Sequence, residues 1–176
     1  MTEREFVAIG IAVITVSDTR SWADDKSGQT LVDRITAAGH RLAGREIVKD
    51  DVRAIRSKVR KLAKDKAVDV IISTGGTGLT GRDVTIEAMR PLFDKEIEGF
   101  GVLFHMMSFQ KIKTSTVQSR ATAGVVAGKY VFCLPGSPGA CRDGWDEILL
   151  HQLDYRHKPC NFIEIMPRLE EHLRRK

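Results

Sequence analysis

The segment Thr74-Gly75-Gly76-Thr77-Gly78-Leu79-Thr80-Gly81-Arg82-Asp83 carries four glycines in seven positions, from 75 to 81. Glycine loses more chain entropy on folding than any other residue, so this density marks backbone that a side chain would obstruct. The apolar run Val68-Asp69-Val70-Ile71-Ile72 precedes it and predicts a buried strand; a helical pattern opens after it. A glycine turn between a strand end and a helix start aims several N–H groups one way. Such a turn is an anion cradle, with phosphate as its usual occupant.

Gly76-Thr77-Gly78-Leu79-Thr80-Gly81 matches G-x-G-x-x-G, the fingerprint of dinucleotide sites. That unit should continue through a helix into a second strand, with an acid about 20 residues on. Glu96 and Glu98 lie near that distance, but in a helical stretch after Pro91. A nicotinamide-dependent oxidoreductase is therefore the weaker reading. A P-loop also nearly fits, yet Arg82 and Asp83 stand where Lys and Ser/Thr belong. Two readings remain for Asp83. It is the acidic, metal-binding end of a different phosphate loop, or it is the N-cap of a tight strand-to-helix turn.

The elements that must position this loop are those of an α/β protein. Phe6 to Val16 predicts a central strand buried on both faces. Ser17 and Asp18 follow at its carboxyl end, where open α/β sheets bind ligands, and Asp25 lies in the polar loop beyond. A helix is expected from Ser27-Gly28 to about Ala38, then a less apolar strand, Arg41 to Val48, nearer an edge. Asp50 and Asp51 come next; either is a candidate site acid or the N-cap of a helix from Val52 to Asp65. A helix from about Asp83 to Phe93 should end or kink at Pro91. Glu96 to Gln110 is apolar with helical spacing, and His105, Met106 and Met107 within it read as packing residues. Ser119 to Val126 and Tyr130 to Leu134 predict a hairpin, or one strand entering the sheet beside another. Pro135-Gly136-Ser137-Pro138-Gly139 is a second turn suited to phosphate, opening a helix from about Gly139 to Tyr155. Pro159 to Ile165 is expected to be extended, followed by a short charged helix.

The chain has 176 residues, enough for one domain with a substantial core. Its net charge of +5 suits anionic small molecules; the basic residues form no stripe interleaved with aromatics, so no nucleic acid is expected. The basic end Arg174-Arg175-Lys176 reads as solvated. Cys133, Cys141 and Cys160 are odd in number and lack C-x-x-C spacing, which supports neither a disulfide framework nor a zinc site. Reduced thiols fit a cytoplasmic protein. No signal peptide and no long apolar run is present, so neither secretion nor a membrane is expected.

Taken together, Ser73-Thr74-Gly75-Gly76-Thr77-Gly78, Arg82-Asp83-Val84-Thr85, Ser119-Arg120 and Leu134-Pro135-Gly136-Ser137 resemble the MoaB/MogA family of molybdenum cofactor biosynthesis proteins. Gly99-Phe100-Gly101, Ser108-Phe109, Thr114-Ser115-Thr116 and Pro159-Cys160-Asn161-Phe162 look like the MoaB branch. The resemblance implies one molybdopterin-binding domain across residues 1–176 and a three-layer α/β/α fold with a mainly parallel sheet. It also implies a homo-oligomer, a trimer or a hexamer made of two trimers, and dealings with other molybdenum cofactor enzymes.

The catalytic branch of the family is molybdopterin adenylyltransferase, with ATP and molybdopterin as substrates and Mg2+ as cofactor. By the same resemblance Asp83 and Asp50 (or its neighbour Asp51) are the catalytic and metal-binding acids. Thr74, Gly75, Gly76, Thr77 and Gly78 belong to the nucleotide and phosphate loop. Ser17, Asp18, Asp25 and Gly28 match a polar patch of the same crevice; Pro135, Gly136 and Ser137 match the second turn. Ser119 and Arg120 complete the set, with Arg82 or Arg120 available to neutralise phosphate. Lys49 stands where the MogA branch commonly has proline. Some MoaB members lack the carboxylates. Their retention here favours an enzyme over a non-catalytic molybdopterin-binding or scaffold protein of the same pathway.

Overall fold

The computed structural model describes residues 4–174, so Arg175 and Lys176 of the basic end lie outside the described residues. Its first half alternates strand and helix: β1 (Gly10–Val16), α1 (Lys26–Ala37), β2 (Arg41–Val48), α2 (Val52–Lys64), β3 (Val70–Thr74) and α3 (Thr85–Met89). The second half holds a short β4 (Lys95–Glu96), α4 (Glu98–Ile112), and β5 (Thr122–Val126) paired with β6 (Lys129–Leu134). Then α5 (Pro138–Gly144) runs on through a π-helical turn, Trp145–Leu149, into α6 (Leu150–Gln152). Two short helices, α7 (Phe162–Ile165) and α8 (Glu171–Arg174), follow.

The six strands form one sheet in the order β2-β1-β3-β6-β5-β4. It is parallel from β2 to β6 and antiparallel at β5 and β4. Ala127 (φ +47°) and Gly128 (φ +75°) close the β5–β6 hairpin. Positive φ at both central positions matches the right-handed twist of the flanking strands.

Period-two alternation along the buried strands divides the core between two faces. Ile11 and Val13 of β1 join Ile72, Phe132, Leu31, Ile35, Phe100, Phe104 and Trp145 beneath α1, α4 and α5. Ala12 and Ile14 join Ile71, Val131, Ile55, Val59, Ile86 and Met89 beneath α2 and α3. The result is the expected α/β/α arrangement with a mainly parallel sheet. It sets the carboxyl ends of β1, β2, β3 and β6 along one edge, with the connection order reversing between β1 and β3, where such folds open a crevice.

Four local expectations are corrected. β1 begins at Gly10 rather than Phe6, because the Phe6 ring leaves the ladder and packs 5.0 Å from that of His40. α3 is only five residues long; Pro91 turns the chain into a tight 3-10 segment, Arg90–Leu92. The stretch 159–165 is not extended, since Asn161 accepts from the Glu164 amide at 2.9 Å and caps α7. Met106 is 62% exposed and does not pack in the core, unlike Met107.

Candidate functional site

Three strand ends meet through backbone alone. The Gly75 amide donates to the Leu134 carbonyl (3.1 Å). A Cβ on Gly75, which has φ +101°, would stand 2.3 Å from the Val16 carbonyl oxygen, and one on Gly136 would stand 3.2 Å from the Gly75 Cα. Only glycine at 75 lets β1, β3 and β6 close this floor. Thr74 lies beneath it, buried, with its hydroxyl donating to the Pro135 carbonyl (2.9 Å). It fixes the second turn from below and has no surface to offer a ligand.

The glycine loop is held from its outer side. Arg120 Nε donates to the carbonyls of Thr77 (3.2 Å) and Gly78 (3.0 Å), and its terminal nitrogen to Gly78 (2.7 Å). A trans peptide sends its N–H opposite to its C=O. Holding those two carbonyls toward Arg120 therefore turns the amides of Gly78 and Leu79 away from it. Glu87 in α3 holds the guanidinium in place, and that bond keeps the Glu87 carboxyl below its ordinary pKa. Thr85 secures the loop's other end through Gly75 O (2.8 Å) and Gly76 O (3.0 Å). Arg120 thus clamps the loop, where the sequence made it a candidate phosphate ligand. Arg82 is the more exposed of the two and pairs with Asp18.

The three acids separate by role. Asp51 is the N-cap of α2 and accepts from the Ala54 amide at 2.7 Å. Asp50 points the other way, its Oδ1 lying 3.0 Å from where a Gly76 Cβ would be. Burial, and then the charge of Asp83, raise the Asp50 pKa above its ordinary value. Asp83 caps no helix: α3 begins two residues later, behind Val84. One Asp83 oxygen accepts from the Thr80 amide (2.9 Å) and hydroxyl (2.7 Å), and the carboxylate lies against Gly78. Asp51→Ala is therefore expected to cost about 1 kcal/mol of stability in a denaturant titration, the usual worth of an N-cap. Ligand binding in the crevice should stay at the wild-type level; a loss of binding without a loss of stability would make Asp51 the site acid instead.

Ser17 and Asp18 shape the rim. The Ser17 hydroxyl accepts from the amides of Thr19 and Arg20, while Asp18 accepts from the Asp50 amide (3.1 Å) and pairs with Arg82. Asp25 and Gly28 sit deeper. The Asp25 side chain is fully buried; it caps α1 at the Gly28 amide (2.9 Å) and accepts from Thr15 and Arg45. A Cβ on Gly28 would stand 2.1 Å from an Asp25 oxygen, so Gly28 admits the carboxylate. The crevice itself encloses about 580 Å³. It is lined by Gly76, Thr77, Gly78 and Asp83, by Pro135, Gly136 and Ser137, and by Ser115, Gln118 and Ser119. The Ser119 hydroxyl is buried without a partner. Ser115 and Gln118 were not legible as site residues: they lie in an irregular 3-10 segment, Lys113–Gln118, without glycine, and its Thr114-Ser115-Thr116 stretch carried only the family resemblance.

The donors present fit magnesium. No group of three His, Cys, Asp or Glu side chains clusters among the described residues. Magnesium in phosphate-handling sites uses one or two carboxylates, completing its shell with water and phosphate oxygen. Asp50 and Asp83 are such a pair, close enough for one charge to raise the other's pKa. The dinucleotide reading fails on topology: the strand after α3 is β4, an antiparallel edge strand beyond β5, not a parallel neighbour of β3.

Fold and site define an α/β protein with a polar crevice at its strand ends, and comparison with known proteins narrows the class. The family profile described as a probable molybdopterin binding domain matches residues 12–155. Molybdenum cofactor biosynthesis protein B of Escherichia coli (strain K12) is 49% identical over 158 residues, covering 90% of this chain and 93% of that protein. A crystal structure of a molybdenum cofactor biosynthesis protein B superposes with a TM-score of 0.84 at 40% identity, covering 97% of this chain and 99% of the other. The tungsten cofactor synthesizing protein MoaB from Pyrococcus furiosus gives 0.68 at 32% identity, over 96% and 98%. The chain belongs to this molybdenum cofactor biosynthesis family.

Proposed function

We propose that this protein adenylylates molybdopterin, as one domain, with ATP as the adenylyl donor and magnesium as the resident cation. The reading rests on one observation: Asp50 and Asp83 converge on a glycine loop whose carbonyls at Thr77 and Gly78 are held by Arg120. Amides of Gly78 and Leu79 then bind phosphate oxygens, and preorganised donors of this kind stabilise charge without reorganising. Asp50 and Asp83 hold the cation. When bound, magnesium neutralises and aligns the phosphates. The terminal phosphate of molybdopterin attacks the α-phosphorus of ATP, and pyrophosphate leaves. Ser115, Gln118 and the unpartnered Ser119 hydroxyl face that chemistry and supply neutral hydrogen bonds for orienting the second substrate.

Family resemblance extends the proposal to a homo-oligomer, a trimer or a pair of trimers. α4 supports it by exposing Val102, Leu103, Met106, Phe109 and Ile112, a contiguous apolar face of the kind that copies cover. No helix among the described residues is long and apolar enough to cross a membrane, consistent with the cytoplasmic placement proposed here.

The test is direct. Purified protein, ATP, magnesium and molybdopterin are mixed, and adenylylated product and pyrophosphate are followed with and without EDTA. Product is expected only with magnesium, falling at least roughly tenfold with chelator. No product, with molybdopterin still bound, would move the protein to a binding or scaffold role in the same pathway.

A further inference from the structure

α2 carries six cations, Arg53, Arg56, Lys58, Arg60, Lys61 and Lys64, and no acid within its thirteen residues. Like charges three and four apart on a helix repel, and Arg53 meets the positive end of the helix dipole. Lys58 is neutralised by Glu46 (3.1 Å), and Arg56 is bound to the carbonyls of Glu87 and Ala88 (3.0 Å each). Arg53, Arg60, Lys61 and Lys64 have no carboxylate partner among the described residues. Together with Arg56 and Ser57 they line a groove of about 520 Å³. The groove therefore gathers five cations and no acid.

We propose that this groove docks an acidic protein surface beside the catalytic crevice. The stripe Arg53, Arg56, Arg60 and Lys64 spans roughly 16 Å at 1.5 Å per residue. That length exceeds what one phosphate needs and suits a row of carboxylates, for which guanidinium forks are matched donors. It starts one turn from Asp50, so a partner seated on it borders the site without filling it. No aromatic side chain lines the groove, which leaves no stacking platform for single-stranded nucleic acid. The inference stands on charge and placement and does not rest on adenylyl transfer.

The probe is fluorescein-labelled decaglutamate, followed by anisotropy at low salt with the full chain. R60Q/K61Q/K64Q removes three groove charges; K95Q/K113Q/K158Q removes three elsewhere and controls for net charge. The groove variant should bind about tenfold more weakly and the control within about twofold of wild type, the sum of three exposed ion pairs. Equal losses in both variants, or no binding by wild type, would overturn the proposal. So would duplex DNA of matched charge binding the groove as tightly as the peptide. A mass by light scattering that falls only in the groove variant would overturn it too, by making the groove a contact between copies.

Discussion

Asp83→Asn is expected to lower the rate of adenylyl transfer by at least roughly tenfold while the protein stays folded. The substitution keeps size and shape, and the amide oxygen of Asn can still accept from the Thr80 amide that Asp83 now engages at 2.9 Å. What it removes is charge. One of two carboxylates disappears from the proposed cation site, which would weaken the hold on the cation that neutralises phosphate there. Thermal unfolding should therefore shift by no more than about 2 °C, the range of a partly exposed, shape-conserving change. A second readout separates this from a general defect. The charge of Asp83 helps raise the Asp50 pKa, with burial as the larger cause. In Asp83→Asn the Asp50 carboxyl should titrate lower than in wild type, as followed by NMR of the labelled side chain. Full turnover in the mutant would remove Asp83 from the mechanism. Lost turnover with an unmoved Asp50 would mean that the two acids do not face one another.

How much of this was legible beforehand depends on which interactions are local. The buried strands, the α1 and α2 faces and the glycine turns follow from patterns within about ten residues, and all recur in the structure. The choice between Asp50 and Asp51 was open, because both precede the same helix; the structure gives the N-cap to Asp51, through the Ala54 amide. Arg120 is a sharper case. A cation beside a phosphate loop reads as a phosphate ligand, yet it lies 42 residues from the Gly78 carbonyl it binds. No spacing rule reaches that far. Ser115 and Gln118 were missed for the opposite reason: their polar side chains are ordinary, and only the fold brings them into one crevice with Asp83.

Asp25 shows how a resemblance can name the right residue for another reason. An acid in a polar loop after a strand's carboxyl end invites a ligand role, and a solvated loop carboxylate is the ordinary alternative. The structure gives neither. The side chain has 0% exposure, and its oxygens hold the Gly28 amide (2.9 Å), the Thr15 hydroxyl (2.9 Å) and Arg45 (3.0 Å). It joins β1, α1 and β2 at the base of the site. Asp25→Ala takes the carboxylate from a buried threonine and from Arg45, whose guanidinium keeps Gln29 Oε1 (2.6 Å) and the backbone carbonyl of residue 25 (3.3 Å). The loss of one side of such a pair then costs about 3 kcal/mol, the low end of its range. For a chain of this length that lowers Tm by about 10 °C.

Arg45→Met should cost less, because it leaves Asp25 its two neutral donors, Gly28 and Thr15. The double mutant should then fall well short of the sum, since the second change removes a charge already stranded. ATP affinity, measured on folded protein below the lowered Tm, should stay within about twofold of wild type in all three variants, as the carboxylate never reaches the crevice. If Asp25→Ala instead abolished ATP binding with Tm unchanged, Asp25 would be a ligand residue and the buried network would carry no stability.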